Sequence, residues 1–189
     1  YHFGEEADLA HRIDAQTSGL VLVAKNKRAS KVLKTMFEKK QYSKEYLAVV
    51  RGNLQDDVTI QKPISKANSI IGIKMTCGNE VGKDSTTHIQ PLKFNEKSNT
   101  TLVKAIPITG RQHQIRVHLD SIGFPILGDP IYGVTEQIAN EYLSKTLLEA
   151  QRVKFTGAKR LMLHANNLSF KYQDVEYDVT SILKDPAFK

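Results

Sequence analysis

Residues 107–133 read PITGRQHQIRVHLDSIGFPILGDPIYG, a stretch that combines helix signals with two arginines and a glycine-rich end. Three apolar residues are spaced to share one face of a helix: Ile115, Leu119 and Ile122. Thr109 and Gln112 match the capping-box pattern that starts a helix, and Gly123 is typical of the residue that ends one. The stretch therefore predicts a helix from about Gly110 to Gly123.

The two arginines of this helix are expected to point in different directions. Gly110 and Arg111 lie at the predicted N-terminus, where free N–H groups and a guanidinium can hold a phosphate. Arg116 is five positions further on, so Arg111 is expected to face solvent or RNA while Arg116 faces inward. An inward arginine needs a buried anion, for which Asp14 is a candidate. The alternative for Arg116 is an ordinary charge on the helix surface.

Asp14 belongs to a second stretch, residues 11–24, which reads HRIDAQTSGLVLVA. The β-branched and apolar run from Thr17 to Ala24 predicts a buried strand directly after the charged residues. Charges at the mouth of an apolar strand cost desolvation energy unless they are compensated. Arg12 and Asp14 therefore form either a surface ion pair that caps the strand or part of a functional site.

The rest of the chain alternates short strands with few helices. Further helices are predicted at 25–40, with apolar residues on one face and lysines on the other, and at 136–151. Strands are predicted at 44–52, at several places between 58 and 108 with a hairpin connection at 95–99, and in a closing hairpin formed by 161–170 and 175–183. Because strands outnumber helices and short turns join them, the class is α+β around a largely antiparallel sheet.

Composition predicts a basic protein that binds polyanions. The chain has 189 residues, a length that suits one domain spanning 1–189, and a net charge of +7 that attracts nucleic acid or an anionic membrane surface. No apolar run approaches the roughly 18 residues of a membrane span. Cys77 is the only cysteine, which excludes disulfides within the chain and favours a reducing, cytoplasmic location.

Several common catalytic motifs are absent. His113 and His118 are five positions apart, which suits neither helical spacing of a metal-binding pair. Ser18 is not part of a G-x-S-x-G nucleophile elbow. Neither a G-x-G-x-x-G fingerprint nor a phosphate-binding P-loop occurs. A metal site and nucleotide-cofactor chemistry therefore have no support in the sequence.

Four motifs, in order along the chain, resemble those of the RluA-type pseudouridine synthases: HRIDAQTSGLVLVAKN, KEYLAVVRG, the stretch at 107–133 and LMLHANNLSF. The resemblance runs from about residue 11 to 170. It implies a pseudouridine synthase fold, a mixed and mostly antiparallel sheet with flanking helices and an active-site cleft across it. It also implies isomerisation of selected uridines in structured RNA to pseudouridine, with no cofactor and no metal. The protein is further expected to be a cytoplasmic monomer that binds no membrane.

The resemblance also assigns roles to individual residues. It places the catalytic aspartate at Asp14, the tyrosine that packs on the target base at Tyr46 and the arginine paired with the aspartate at Arg116. The alternative for Tyr46 is an ordinary residue at the edge of a strand. Five further residues are expected to bind or support substrate or RNA: Arg12, Thr109, Gly110, Arg111 and His113.

The N-terminal end of the chain departs from the pattern of this family. An NKP-G-like segment upstream of the first motif is missing from Tyr1 to Ala10, and no S4-like domain is visible. A natural N-terminal segment is therefore expected to be lacking.

The RNA target and the activity itself each leave more than one hypothesis. Family members act on large-subunit ribosomal RNA, the expected target, or on transfer RNA. A non-catalytic RNA-binding module on the same fold would need the basic charge but not Asp14, Tyr46 and Arg116 together. A nucleoside or nucleobase hydrolase would also need a carboxylate near C1′ of the ribose.

Overall fold

The computed structural model describes residues 6–182 together with 185 and 188. The helices are α1 (Lys27–Glu38), α2 (Gln114–Ser121), α3 (Glu136–Leu143) and α4 (Glu149–Thr156). The strands are β1 (Asp8–Leu9), β2 (Ser18–Gly19), β3 (Val23–Ala24), β4 (Tyr42–Arg51), β5 (Val58–Gln61), β6 (Ile64–Lys66), β7 (Met75–Cys77), β8 (Thr86–Asn95), β9 (Thr100–Pro107), β10 (Leu163–Tyr172) and β11 (Val175–Thr180). Among the described residues, no helix is both long and apolar enough to cross a membrane.

A seven-stranded sheet carries the fold. Its order is β11-β10-β4-β9-β8-β5, and these neighbours pair antiparallel, while β2 adds a short parallel pairing to β10. The predicted hairpins β8–β9 and β10–β11 are both present, although residue 183 of the second prediction lies outside the described residues. The core lies where α2 and the segments around 126 and 161 pack against the middle strands, with Val50, Val103 and Leu119 almost completely buried.

Helix α1 forms as the sequence predicts. The Asn26 side chain caps it by accepting a hydrogen bond from the Ala29 N–H at 2.9 Å. Leu33 and Met36 are buried against Ala24 and neighbouring apolar residues, whereas the basic residues of the helix remain exposed. The helix therefore presents positive charge to solvent beside the sheet.

The prediction of one strand from Thr17 to Ala24 is wrong. The segment forms two separate two-residue strands, β2 beside β10 and β3 beside β1. Gly19 lies in β2 and has a φ of +111°. A Cβ atom at this position would lie only 2.2 Å from the Ala165 carbonyl oxygen. Close backbone approach, which only glycine permits, therefore divides a segment that its apolar pattern suggests is continuous.

The start of α2 also differs from the prediction. The helix begins at Gln114, after His113 in a left-handed conformation with φ 54°. The glutamine that organises the start is Gln114 rather than Gln112, because its Oε1 accepts hydrogen bonds from Thr109 Oγ1 at 2.7 Å and the Arg111 N–H at 3.0 Å. Residues 109–113 therefore form a loop, whose left-handed residue the capping-box pattern does not reveal.

The helix predicted at 136–151 is two helices, α3 and α4. Lys145 has a left-handed backbone with φ 58°, which ends α3. The Gln151 side chain accepts a hydrogen bond from the Leu148 N–H at 3.0 Å and so stabilises the start of α4. A local cap therefore overrides the continuous helical propensity of the segment.

Candidate active site

A cavity of about 280 Å³ opens between β4, the end of β9, the loop before α2 and the turn that carries Asp14. It brings together seven of the eight residues singled out in the sequence: Arg12, Asp14, Tyr46, Thr109, Gly110, Arg111 and Arg116. These residues are up to about a hundred positions apart in the chain, so the fold assembles the cavity from separate motifs. We call it the first cavity.

Asp14 begins a tight turn. Its carbonyl oxygen accepts hydrogen bonds from the Gln16 N–H at 3.0 Å and the Thr17 N–H at 2.9 Å. Strand β2, with Gly19 against Ala165, attaches the end of this turn to β10. The Asp14 side chain is 23% exposed, and its Oδ2 lies 3.5 Å from Arg116 Nη1. The carboxylate is thus held at the cavity wall instead of extending into solvent.

Arg116 is buried, as its spacing from Arg111 predicts, but Asp14 is not its main partner. Asp129 binds it through two hydrogen bonds, from Nε to Oδ2 at 2.7 Å and from Nη2 to Oδ1 at 2.8 Å. The remaining nitrogen, Nη1, is directed to Asp14. Burial by itself lowers the pKa of Arg116, but the Asp129 hydrogen bonds and the two carboxylate charges raise it overall. Arg116 is therefore a permanent cation shared by two anions.

Asp129 is a site residue that the sequence reasoning missed. It is almost completely buried, and its Oδ1 also accepts hydrogen bonds from the Ile131 N–H at 2.9 Å and the Tyr132 N–H at 3.1 Å. The signal was present in the GDPIYG end of the opening stretch, because a buried arginine requires an anion and Asp129 is nearby in sequence. Spacing alone does not show that the chain after α2 folds back onto the helix.

His113 lies apart from the other predicted binding residues. It is buried, and its Nδ1 lies 3.0 Å from the Tyr132 hydroxyl, whose ring in turn packs against the Arg116 guanidinium at 5.1 Å. Burial is the main cause that lowers the pKa of His113, followed by the positive charge of Arg116. His113 thus contacts Tyr132, which packs on Arg116, and does not line the first cavity.

Tyr46 lies in the middle of the sheet. Strand β4 pairs with β10 on one side and β9 on the other, so the interpretation of Tyr46 as an edge residue is wrong. Burial, with a smaller contribution from the negative charge of Asp14, raises the pKa of its phenol to about 12. The ring is therefore neutral at physiological pH and lines the cavity beside the carboxylate.

Lys44 is the second site residue that the sequence reasoning missed. It lines the first cavity with Tyr42 and Tyr46, because alternate residues of a strand share one face. Its Nζ lies 4.7 Å from the Phe37 ring centroid and 5.1 Å from that of Tyr42. Burial lowers the pKa of Lys44 to about 8. The alternation Tyr42, Lys44, Tyr46 was the signal that pointed to it.

The outer rim of the first cavity is basic. Arg12 is exposed and forms no ion pair with the described residues, and Arg111 is exposed with its Nε donating to the Asp84 carbonyl at 3.2 Å. Thr109 and Gly110 belong to the loop before α2 and also line the cavity. A cavity with a carboxylate at its wall and guanidinium groups at its mouth suits a polyanion that inserts one neutral group.

Comparison with known proteins decides the family. A family model described as RNA pseudouridylate synthase matches residues 2–121 of the chain. The chain belongs to the RNA pseudouridylate synthase family. Within this family, a protein of Helicobacter pylori strain J99 named "Uncharacterized RNA pseudouridine synthase" is 39% identical over 183 residues, which are 95% of this chain and 60% of that protein.

Two further members of the family extend the comparison. "Ribosomal large subunit pseudouridine synthase C" of Haemophilus ducreyi is 38% identical over 167 residues, which are 87% of this chain and 48% of that protein. The structure of "Human RNA Pseudouridylate Synthase Domain Containing 1" superposes with a TM-score of 0.78 at 28% identity, covering 97% of this chain and 72% of that one. The predicted fold class and RluA-type family are thus confirmed, and the chain spans less than two thirds of the curated relatives.

Proposed function

We propose that the protein is an RNA pseudouridine synthase that isomerises specific uridines in structured RNA, with Asp14 as the catalytic aspartate. The observation that carries the proposal is the position of the Asp14 carboxylate, 3.5 Å from the buried Arg116 guanidinium, in the wall of a cavity with a basic rim. Family membership supports the reaction class. The reaction breaks the bond between C1′ and N1 of uridine, turns the base and joins C1′ to C5.

A carboxylate suits this reaction because it can attack an electron-poor carbon or accept a proton. Asp14 serves as nucleophile toward C1′ or C6 of the uridine, or as base for the C2′ proton on a route through a glycal. All three routes require the ionised form. Arg116 orients the Asp14 carboxylate, since its Nη1 lies 3.5 Å from Asp14 Oδ2. Asp129 fixes Arg116 for this task through two hydrogen bonds.

Tyr46 is proposed to hold the target base. A uridine within a structured RNA reaches a cavity of this kind only after it leaves its stack, which costs a few kcal/mol. Stacking on an aromatic side chain stabilises the extruded base by about 1–3 kcal/mol. With its pKa raised to about 12, the Tyr46 phenol remains protonated and is a packing surface and hydrogen-bond donor rather than a base.

Large-subunit ribosomal RNA is the proposed substrate, and transfer RNA is the second candidate. The relative from Haemophilus ducreyi, named for the ribosomal large subunit, supports the first choice. Arg12, Arg111 and the lysines of α1 are proposed to bind phosphates. The protein is proposed to act as a monomer in the cytoplasm. The reaction is proposed to need no cofactor or metal, since a carboxylate and an aromatic ring supply the chemistry named above. These points stay predictions.

The test is tritium release from RNA labelled at uracil C5, run separately on ribosomal and transfer RNA pools, since C5 loses its hydrogen when it is joined to C1′. We expect release from the ribosomal pool with the unmodified protein. Asp14→Asn should release none while it keeps its fold and RNA affinity, whereas Asp57→Asn, an exposed control, should behave like the parent. Normal release by Asp14→Asn would contradict the catalytic assignment.

The same assay distinguishes the competing functions. Release from transfer RNA alone would mean that the substrate is transfer RNA, and the proposed reaction would be unaffected. No release from either pool, with RNA still bound, would favour a non-catalytic RNA-binding module. Free uracil among the products would favour a hydrolase, because a hydrolase cuts the bond to C1′ without joining C5 to it.

A further inference from the structure

A second cavity, of about 680 Å³, lies on the other side of the Asp14 turn. Within the turn, Asp14 and Thr17 line the first cavity, whereas Ala15 and Gln16 line the second. Arg116 contributes to both walls. The two cavities are therefore separated by one β-turn, whose ends lie within about 7 Å of each other.

The walls of the second cavity combine apolar and aromatic surface with positive charge. Ile131, Leu147 and Tyr142 supply the flat and apolar part. Besides Arg116, three cations line the same cavity: Lys145, Arg152 and Lys159. One carboxylate, that of Glu149, also lines it and pairs with Lys159 at 3.4 Å. The excess of positive charge beside an aromatic ring suits a ligand that has both a flat ring and a phosphate.

Arg152 is incompletely satisfied in the protein alone. Its guanidinium stacks on the Tyr142 ring at 5.0 Å, and its Nη2 donates to the Gln16 side chain and to the Gly128 carbonyl at 3.2 Å. Its Nε is buried and has no hydrogen-bond partner among the described residues. A buried donor without a partner is unfavourable, so a shift of the Arg152 side chain that brings this nitrogen to an acceptor in the second cavity would be favourable.

Gln16 connects the second cavity to the first. Its side chain donates to the Tyr142 hydroxyl and accepts from Arg152, so both of its polar ends are held by the second cavity. Its backbone N–H donates to the Asp14 carbonyl at 3.0 Å. A ligand that orders Tyr142 and Arg152 therefore also orders the turn that carries Asp14.

We propose that the second cavity binds a second unstacked nucleotide of the substrate RNA, next in the strand to the target uridine. The base packs on Tyr142 and the apolar wall, and the phosphate lies between Lys145 and Arg152. The cavity volume falls within the roughly 300–1,000 Å³ of small-ligand sites. The substrate must then present two neighbouring unpaired nucleotides, as a loop or bulge does. This inference rests on the proposed function for its link to the target uridine.

The test uses fluorescence anisotropy with two labelled octamers, octauridylate and a chain of abasic ribose phosphates. Tyr142→Ala should weaken octauridylate binding about 5- to 150-fold, as expected for the loss of one stacked base, and leave the abasic octamer unchanged. Tyr142→Phe keeps the ring and should bind like the parent. Equal weakening for both octamers, or a Phe variant that behaves like the Ala variant, would overturn the inference.

A charge reversal at the rim of the cavity gives a second measurement. Lys145 is exposed, so Lys145→Glu does not threaten folding, and it should reduce the salt dependence of octauridylate binding by about one phosphate contact. Lys97→Glu is the matched control, because Lys97 lies at the β8–β9 turn, at the opposite end of β9 from the first cavity. Equal effects of the two reversals would count against a site at the second cavity.

Cross-linking makes the test independent of any variant. Octauridylate with 4-thiouridine at every position should form photo-adducts with peptides from residues 141–152 as well as 42–46. Adducts in 42–46 alone would overturn the inference even if tritium release from RNA is normal. Conversely, adducts in both segments without tritium release from either RNA pool would contradict the proposed reaction and leave the second nucleotide site intact.

Discussion

At the residue scale, the site depends on one guanidinium, that of Arg116, which interacts with two carboxylates, those of Asp129 and Asp14. Arg116 makes its short hydrogen bonds to Asp129, at 2.7 and 2.8 Å, and approaches Asp14 at 3.5 Å. The buried pair with Asp129 compensates the desolvation of the arginine. Asp14 is therefore not needed to neutralise Arg116 and remains available for substrate.

Asp129→Asn tests this division of roles. The amide has nearly the same shape but removes the charge that compensates a buried arginine, so we expect a loss of about 3–5 kcal/mol in the free energy of unfolding. Urea denaturation measures it. Asp57→Asn, an exposed control, should change stability by less than about 0.5 kcal/mol. A similarly small loss for Asp129→Asn would mean that Asp14 alone compensates Arg116.

Lys44 predicts a pH dependence of RNA binding. Its pKa is lowered by burial to about 8, so the free protein loses a positive charge at the mouth of the site as the pH rises through 8. The Kd for RNA should therefore increase between about pH 8 and pH 9.5, and a titration series at constant salt measures it.

Lys44→Arg is the matched control, because arginine keeps its charge over this range. Its Kd should change little with pH. If the parent and the Lys44→Arg variant show the same pH dependence, the titrating group lies elsewhere.

At the element scale, the turn that carries Asp14 depends on β2. This two-residue strand attaches the turn to β10 and lets Gly19 approach Ala165. Local sequence suggests a continuous strand there, because the apolar run is unbroken. The competing factor is a backbone contact with a strand some 145 positions away, which no local pattern contains.

Gly19→Ala tests the importance of this contact. A Cβ would lie 2.2 Å from the Ala165 carbonyl oxygen, at a φ of +111° that alanine avoids, so the substitution should lower the free energy of unfolding by at least about 2 kcal/mol. Gly72→Ala is the control, since a Cβ there meets no atom within 4 Å. Equal free energies of unfolding for the two variants in urea would show that β2 accommodates the added methyl group without loss of stability.

At the scale of the whole molecule, positive charge surrounds the mouth of the first cavity. The segment from Lys25 to Lys44 has eight basic residues and one acid. The Phe37 ring of its helix α1 lies against Lys44, which is part of β4 and lines the first cavity. The rim arginines, Arg12 and Arg111, continue this charge on the other elements. RNA is thus expected to be held over a broad surface while one nucleotide enters the cavity.

RNA binding should therefore depend steeply on salt. About four phosphate contacts correspond to a loss of about 100-fold in affinity between roughly 50 and 200 mM salt. Filter binding or anisotropy at several salt concentrations gives the slope, which Arg12→Ala should reduce by about one contact. Lys97→Ala, at the distant β8–β9 turn, should leave the slope unchanged. A flat dependence in the parent protein would contradict the electrostatic role of this surface.

Features that depend on short-range patterns and on the motifs of the family could be predicted from the amino-acid sequence. Helix α1 and the two hairpins follow from periodicity, caps and turn residues within a few positions. The motifs that point to Asp14, Tyr46 and Arg116 are continuous runs of sequence, so their resemblance to the RluA-type family could be read directly.

Which charges meet became evident only in the folded chain. Asp129 as the partner of Arg116, Lys44 on the rings of Phe37 and Tyr42, and Gly19 against Ala165 all join different elements. The reason is that burial sets the energy of a charge or a close backbone contact, and burial is a property of the folded chain. Sequence spacing indicates that a buried arginine needs an anion, but the fold selects the anion.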